Sequence, residues 1–500
     1  MSSSFSGLSI ANRGLYANQV ALNTTSHNIS NANTQGYVRQ QAMQTDASYI
    51  KSGNYKVGTG VGIEEIRQIR SIFIDNMYRN EQSSLSYWQA KKDALDDIQA
   101  VMGDLSEDGG IQSCIDEFFD AWEEVSKDCS SGSARASLLE YANSMVEKFN
   151  QLEDQLDEMQ ANYDSQIASM VKDINSISQQ IAGLNGKIAK CEANGDAAND
   201  YRDEVNSLLD TLSEYVNISV SQDSSGMYNV SIGGACLVRG TSGRALACET
   251  DSANGEFNTV VWKETGSKLK LKDGMLLGVI EARGDVVGGS GSTTNGSPVE
   301  TDDVDADADS YNFTGSSENT IPELRSALNM LVSLMARKIN ELHSSGQGLD
   351  GSTGIDFFVK IDASLPFEAG NIKVNPELED TDKIAASSIG GGADDGSVAA
   401  GIVEFSDAEY FTNDGLKMNI DDFYSKLVAW VGAKGEEASN SVSNQDTLVQ
   451  QTISKKESLS GVSMDEELAN LIKYQNAYNA SARLMSIIDS MLETIIERMG

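Results

Sequence analysis

The chain has 500 residues, with 75 acidic against 37 basic side chains and a net charge of −38. A surface of that charge repels phosphate backbones and anionic lipid over most of its area, which argues against nucleic-acid and membrane-surface roles. No run approaches the roughly 18 apolar residues a bilayer span requires, and the N-terminus lacks the basic-then-apolar plan of a secretory signal, so neither membrane insertion nor the general secretory route is expected.

The length suits two to four domains, each with its own core. Five cysteines (Cys114, Cys129, Cys191, Cys236 and Cys248) are odd in number and show no CxxC spacing; they read as buried thiols rather than disulfides or zinc ligands. The four prolines stand at 298, 322, 366 and 376, which leaves the preceding 297 residues free of the strongest helix breaker. Long helices are therefore expected.

The first helix carries Leu8, Leu15, Leu22 and Ile29 seven residues apart, the spacing of a seam wound against a partner helix. Its companion seam positions, Ala11, Asn18 and Thr25, are small or polar, so the helix buries too little apolar surface to stand alone. The turn after it, "HNISNANTQGYVRQ", sets Asn28, Asn31 and Asn33 where a helix leaves carbonyls unpaired, Gly36 where positive φ is wanted and Tyr37 as an aromatic anchor. Residues 1–45 contain no acid at all, the mark of a region built to be covered.

Helices are expected next at about 64–104 (Ile69, Phe73, Met77, Trp88, Leu95, Ile98) and 111–127 (Ile115, Phe118, Trp122). From about 133 to 193 the periodicity is the strongest in the chain. Phe149, Leu156, Tyr163, Met170, Ile177, Leu184 and Cys191 form one heptad column, flanked by Leu152, Met159, Ile167, Ile174, Ile181 and Ile188. At about 1.5 Å per residue this is a helix on the order of 90 Å long, and it implies a rod-shaped molecule.

From about 217 the pattern changes to period two, and "NISVSQDSSGMYNVSIGGACLVRG" with "NTVVWKETGSKLKLKDGMLLGVIEARG" reads as a small β unit over 217–283. Residues 285–318 are rich in Gly, Ser and Asp and read as a flexible acidic loop. Helices return at 321–343 and near 421–458, separated by glycine-rich turns and a short extended piece, "NIKVNPEL". The last helix repeats Met464, Leu471, Tyr478, Met485, Leu492 and Met499 at seven, widened by Leu468, Ile488 and Ile495. In "SMDEEL", Ser463 caps it and Asp465, Glu466 and Glu467 lie at the positive end of its dipole.

The expected fold is mainly α with a smaller β-rich part. It is an elongated rod of long helices, with the N- and C-terminal helices paired as a coiled coil and the β domain inserted mid-chain. The expected domains are 1–62 plus 459–500 (terminal coiled coil), 63–216 plus 319–458 (long-helix bundle) and 217–318 (β-rich, with the loop at 285–318).

Chemistry is sparse. Asp303, Asp305, Asp307 and Asp309 alternate like the first ligands of an EF-hand, but Ala308 and Thr314 stand where that loop needs its glycine and its bidentate glutamate. Only His27 and His343 occur, without HExxH spacing, and no glycine-rich phosphate cradle follows a strand. No catalytic residue, cofactor or metal site is expected, although a carboxylate pair suited to glycoside hydrolysis stays open among so many acids.

Two segments carry a resemblance. "NISNANTQGY" resembles the N-terminal signature of bacterial flagellar axial proteins, the rod, hook and hook-associated families, and "SGVSMDEELANLIKYQNAYNASARLMSIIDSMLETIIERMG" resembles their C-terminal signature. "INELHSSGQGLDGSTGIDFF", "IGGACLVRG" and "GMLLGVIEARG" are similar in content and order to the hook-filament junction members of the hook-associated family. The likeness covers the helical body and both termini and is weakest at 285–318 and 355–400.

The resemblance implies a non-enzymatic structural subunit that self-associates in a junction layer between hook and filament. Its partners would be hook protein, a second junction protein and filament proteins. It also implies export, unfolded, through the flagellar type III apparatus to an extracellular location, with a cytoplasmic chaperone on the C-terminal helix. Carried onto this chain, the motif positions are Asn28, Asn31, Asn33, Thr34, Gly36 and Tyr37, and then Glu467, Leu468, Asn470, Leu471, Gln475, Tyr478, Ala482 and Leu492. With the stripe residues Leu8, Leu15, Leu22, Ile29, Met485 and Ile495 these form the expected assembly interface. Gln35 departs from the proline many relatives have, which leaves the turn less rigid. A rod or hook subunit, and an axial scaffold carrying a glycan-hydrolase insertion, are the alternatives.

Overall fold

The computed structural model describes residues 2–34, 36–52, 55–103, 110–193, 195–250, 257–284, 319–392, 394–413 and 416–499. The acidic stretch 285–318, with its EF-hand-like aspartates, and Gln35 lie outside the described residues.

Helix α1 (Ser2–Ser30) leads through a turn into four strands, β1 (Gln40–Asp46), β2 (Tyr49–Ser52), β3 (Tyr55–Gly58) and β4 (Val61–Gln68). β1 pairs antiparallel with β4 and β2 with β3, so the segment is one long nested hairpin. The sequence reading had no strands here. The hairpin leans on α1, where Gly60 (φ +107°) would place a Cβ 3.3 Å from Ile10 Cα.

The body follows with α2 (Ile72–Met102), α3 (Ile111–Lys127), α4 (Gly132–Ala193) and α5 (Asn199–Tyr215). Helix α4 has 62 residues, matching the periodic stretch read from the sequence. It is the spine of the molecule because it runs through two successive cores. In the first, its Phe149, Leu152 and Leu156 pack with Phe118 and Trp122 of α3 and with Phe357 and Phe358. In the second, its Ile167, Ile174, Ile181 and Ile188 pack with Val205 and Leu209 of α5 and with a small sheet. Tyr163 touches both cores and donates a hydrogen bond to Asp97 at 2.9 Å.

That sheet is β5 (Ile218–Gln222), β6 (Tyr228–Ile232), β7 (Ala235–Arg239) and β8 (Ser242–Gly243) in sequential antiparallel order, beside a β9 (Leu246–Thr250) and β10 (Asn258–Trp262) pair. The β reading fails beyond it, because 275–283 is helix α6 (Met275–Arg283). Its Leu276, Val279 and Ala282 turn inward at helical spacing. Gly278 lets α6 press onto α2; a Cβ there would lie 2.8 Å from Tyr87 O and 2.9 Å from Ala90 Cβ.

The chain returns through α7 (Thr320–Ser344), a compact region of short strand pairs and turns, α8 (Ser397–Asp407), α9 (Ile420–Ser460) and α10 (Met464–Met499). Helices α5 and α8 were not anticipated either. The fold is thus mainly α with a smaller sheet-containing part. The buried-thiol expectation holds for Cys114 and Cys129, whereas Cys191, Cys236 and Cys248 are half-buried; all five are free.

Two fully buried arginines bracket 285–318 on the spine. Arg283 reaches Asp164 at 2.5 Å, and Arg325 lies 2.9 Å from Glu153 and 2.5 Å from Asp157. Gln160 joins the two sites, accepting from Arg325 at 2.8 Å and donating to the Arg283 carbonyl at 2.7 Å. Burial pushes the Glu153 carboxyl up to about 7, against the pull of Arg325.

Candidate functional site: the terminal helix pair and its joint

Helices α1 and α10 pack lengthwise. Three close approaches fix the arrangement: Gly7 faces Ile488, Gly14 faces Ser481, and Asn28 bonds to Glu467. As α1 advances by seven and then fourteen residues, α10 retreats by the same steps, so the pair is antiparallel and its register repeats at seven.

The seam is not where the leucines predict. Leu8, Leu15, Leu22 and Ile29 are half-buried, while the closest face is one residue earlier, at Gly7, Gly14, Ala21 and Asn28, with buried Ala11 and Thr25 beside it. A Cβ on Gly7 would lie 3.2 Å from Ile488 Cδ1, and one on Gly14 3.1 Å from Ser481 Oγ. The small side chains let the helices approach closely, and the leucines border the seam.

On α10, Leu471, Tyr478, Ala482, Met485 and Leu492 are half-buried along the pair, whereas Leu468 and Gln475 are exposed. The side chain of Ile495 lies outside the described residues. Met464, Leu468, Ile472, Leu484, Ile487, Met491 and Ile496 are all large, apolar and exposed, Ile487 at 52% and Met491 at 59%. Ile487 and Met491 line a shallow trough of ≈ 580 Å³ with Ser486, Ser490 and Thr494. This much apolar surface on one helix is what an interaction face offers.

The asparagine turn closes the pair at its body end. Asn28, 1% exposed, uses its full hydrogen-bonding capacity. Its amide nitrogen donates to the Gln40 carbonyl at 2.8 Å and to Glu467 Oε2 at 2.9 Å. Its oxygen accepts from Tyr37 OH at 2.7 Å and from the Gln40 N–H at 3.0 Å. Burial, with Asp200, Asp203 and Glu467 nearby, raises the Tyr37 phenol above its usual pKa, so it stays a donor. Asn31 and Thr34 hold the turn locally, through Asn31 Nδ2 to the His27 carbonyl at 3.0 Å and Thr34 Oγ1 to Asn31 Oδ1 at 3.2 Å. Gly36 has φ +80° as expected, and Asn33 is exposed.

Glu467, 2% exposed, receives Arg39 Nε at 2.9 Å on its other oxygen, and Arg39 Nη1 meets Glu466 at 2.8 Å. Ser463 caps this end of α10, its Oγ accepting from the Glu466 N–H at 3.5 Å. The contact with the body is also polar. Gln40 and Gln68 bond to Asn199, Asp200 and Asp203 of α5. Arg70 pairs with Asp75 at 2.6 Å, and Lys456 and Arg79 each reach Asp210 at 2.8 Å. Burial pushes the Asp203 carboxyl up to about 6, opposed by Arg70, the Val38 N–H and Gln68. Sequence reading missed Arg39 and the whole α5 side of this joint. Nothing local marks residues that meet partners more than a hundred positions away.

Among the described residues no group of three or more His, Cys, Asp or Glu is placed to hold a metal, and no helix is long and apolar enough to cross a membrane. His343 is structural. Its Nδ1 hydrogen-bonds the Ile355 carbonyl at 2.7 Å and its Nε2 accepts from the Ala385 N–H at 2.9 Å, while burial lowers its pKa to about 4.

Both ends match family models of flagellar axial proteins: residues 8–37 the flagella basal body rod protein, and residues 457–498 the C-terminal region of the flagellar basal body rod FlgEFG proteins. With the paired-end fold, these matches define the class, a flagellar axial protein. Residues 95–358 match the flagellar hook-associated protein FlgK helical domain. The chain is also 30% identical to flagellar hook-associated protein 1 of Bacillus subtilis (strain 168), an alignment covering 100% of this chain and 99% of that protein. The chain belongs to the FlgK family of flagellar hook-associated proteins. It is 23% identical to hook-associated protein 1 of Salmonella typhimurium, over 97% of this chain and 98% of the relative. The solved structure of the flagellar hook junction protein FlgK from Burkholderia pseudomallei shares the fold, with a TM-score of 0.63 at 14% identity, covering 77% of this chain and 100% of that one.

Proposed function

We propose that this chain is the structural, non-enzymatic subunit that forms the junction layer between hook and filament. In this reading the α1–α10 pair is its assembly interface. The observation that carries the proposal is the exposed apolar surface of α10, on a helix whose seam with α1 is already filled. Such surface calls for cover by neighbouring copies and by hook, second-junction and filament proteins. Leu8, Leu15, Leu22 and Ile29 on the pair's borders, with Leu468 and Gln475 on its outside, are the residues those neighbours meet. The names of the relatives and of the solved structure support this place in the flagellum.

The same surface is a liability before assembly. It suits a cytoplasmic chaperone that holds α10 until the chain leaves, unfolded, through the flagellar type III apparatus to the cell exterior. In this reading the terminal domain is the pair with its hairpin, so its first limit lies after Gln68 rather than at 62, while the return limit near 459 stays at the end of α9. Deletion of the gene with microscopy of the cell surface tests the function. Bare hooks with flagellin monomers shed into the medium are expected, and normal filaments would overturn it.

A further inference from the structure

Arg39 occupies a position that its role in the helix pair does not explain. Its backbone N–H donates to the Ser460 carbonyl at 3.0 Å, and its own carbonyl accepts from the Ile69 N–H at 2.9 Å. Ser460 ends α9 and Ile69 follows β4, so one residue is tied by its main chain to both strands of polypeptide that connect the terminal part to the body. Its guanidinium forks onto Glu466 and Glu467 at the first turn of α10. Glu467 in turn holds Asn28, the last buried residue of α1.

The apolar cores reach this level only from the body side, through Ala198 and, in α5, Val205 and Leu209; among the described residues none before Trp88 or after Ala438 belongs to either core. The groups around the joint are Gln40, Gln68, Arg70, Asp75, Arg79, Asn199, Asp203, Asp210 and Lys456, linked by hydrogen bonds and ion pairs. Polar contacts are directional and weaken steeply when misaligned, unlike apolar packing. A joint made of them holds one attitude or releases it.

We propose that Arg39 is a latch: through its fork onto Glu466 and Glu467 and its main-chain bonds to Ser460 and Ile69, it makes the pairing of α1 with α10 and the fixed attitude of that pair against the body a single cooperative event. The planar guanidinium is suited to this because it offers two carboxylates separate N–H groups at once, which an ammonium on a flexible stem does not do. When the latch opens, Glu467 and Asn28 lose partners together, and the helices part and swing in the same step. The inference stands on contacts within one chain and holds whether or not the junction-layer reading is correct.

The test uses the full-length protein, with amide hydrogen exchange at 24–31 and 464–474 and small-angle X-ray scattering for the attitude of the pair. In Arg39→Met, which keeps the aliphatic stem, exchange in both segments should rise together by about tenfold or more, as loss of charged hydrogen bonds to a buried carboxylate predicts, and the scattering profile should broaden. Arg39→Lys should fall between. Arg244→Gln, which breaks the exposed pair with Glu264 on the β part, should change neither readout. Amides of α4 serve as the internal check that the body is folded. Faster exchange with an unchanged scattering profile, a broadened profile with unchanged exchange, or no change in either would each overturn the latch.

Discussion

Gly14 and Ser481 approach so closely that a Cβ at position 14 would sit 3.1 Å from the serine hydroxyl oxygen. Close approach of α1 to α10 therefore rests on the absence of a side chain. Gly14→Ala adds one carbon that a turn of the Ser481 hydroxyl accommodates, and its gain in helix propensity of up to about 1 kcal/mol offsets the crowding. Gly14→Leu has no such room and should separate the helices, at a cost of about 1 to 3 kcal/mol. Hydrogen exchange in α1 should rise sharply in the leucine variant and stay near wild type in the alanine one.

The pair is fastened at its body end by Asn28, Arg39 and Glu467, while α1 brings mainly glycine and alanine to the close face and the larger side chains along the pair are only half-buried. Ordering helix ends costs about 1 to 2 kcal/mol of backbone entropy per residue, which a seam of glycine and alanine barely offsets. In the free monomer, exchange should therefore be slowest near 24–31 and 464–474 and fastest toward Ser2 and Met499. Uniform strong protection along both helices would contradict this gradient.

Arg325 is fully buried between Glu153, Asp157 and Gln160 of the spine helix. Arg325→Met leaves Glu153 without its cation in a site that already pushes its carboxyl up to about 7. Breaking such a buried pair costs about 3 to 5 kcal/mol. Urea unfolding should show the body transition at a clearly lower midpoint, with Arg325→Lys rescuing only part of the loss because lysine cannot serve all three acceptors.

His343 makes a contribution to the body's pH dependence whose sign follows from its lowered pKa. Its folded pKa of about 4 lies below the ordinary 6.5, so between those values the unfolded chain binds a proton that the folded chain refuses. This contribution is present above pH 6.5 and is lost as the pH falls toward 4, amounting to about 2 kcal/mol between pH 7 and pH 5. Glu153 and Asp203, whose folded values are raised, act in the opposite direction, so the clean measurement is a difference. Relative to wild type, His343→Gln should make the change in urea stability from pH 7 to pH 5 more favourable by about that amount; an unchanged difference would place the acid sensitivity elsewhere.

Ile487 and Met491 are exposed and separate assembly from folding. Ile487→Asp or Met491→Asp should leave unfolding of the isolated chain within about 0.5 kcal/mol of wild type, as surface substitutions do. Cells carrying either variant should nonetheless fail to retain filaments on their hooks. Full filaments with both variants would remove the trough from the interface.

Local pattern by itself determined a good deal of this protein. The heptad column from Phe149 to Cys191 announced the spine helix, the proline-free first 297 residues announced long helices, the motifs at both ends announced a flagellar axial protein, and the interior segments announced the hook-associated family. These are properties of neighbouring residues, so they survive in one dimension. Tertiary structure alone decided which face of each helix met a partner. The leucines of α1 marked the right period but the wrong phase, because the close face is chosen by what α10 presents and Gly7 and Gly14 permit the nearest approach. Helix α6 read as a strand because a short apolar run fits either period until α2 packs against Gly278. The knot of Asn28, Arg39 and Glu467 joins residues 439 and 428 positions apart. No local signal encodes such pairs, since a buried polar group takes its partner from whatever the folded chain brings within hydrogen-bonding distance.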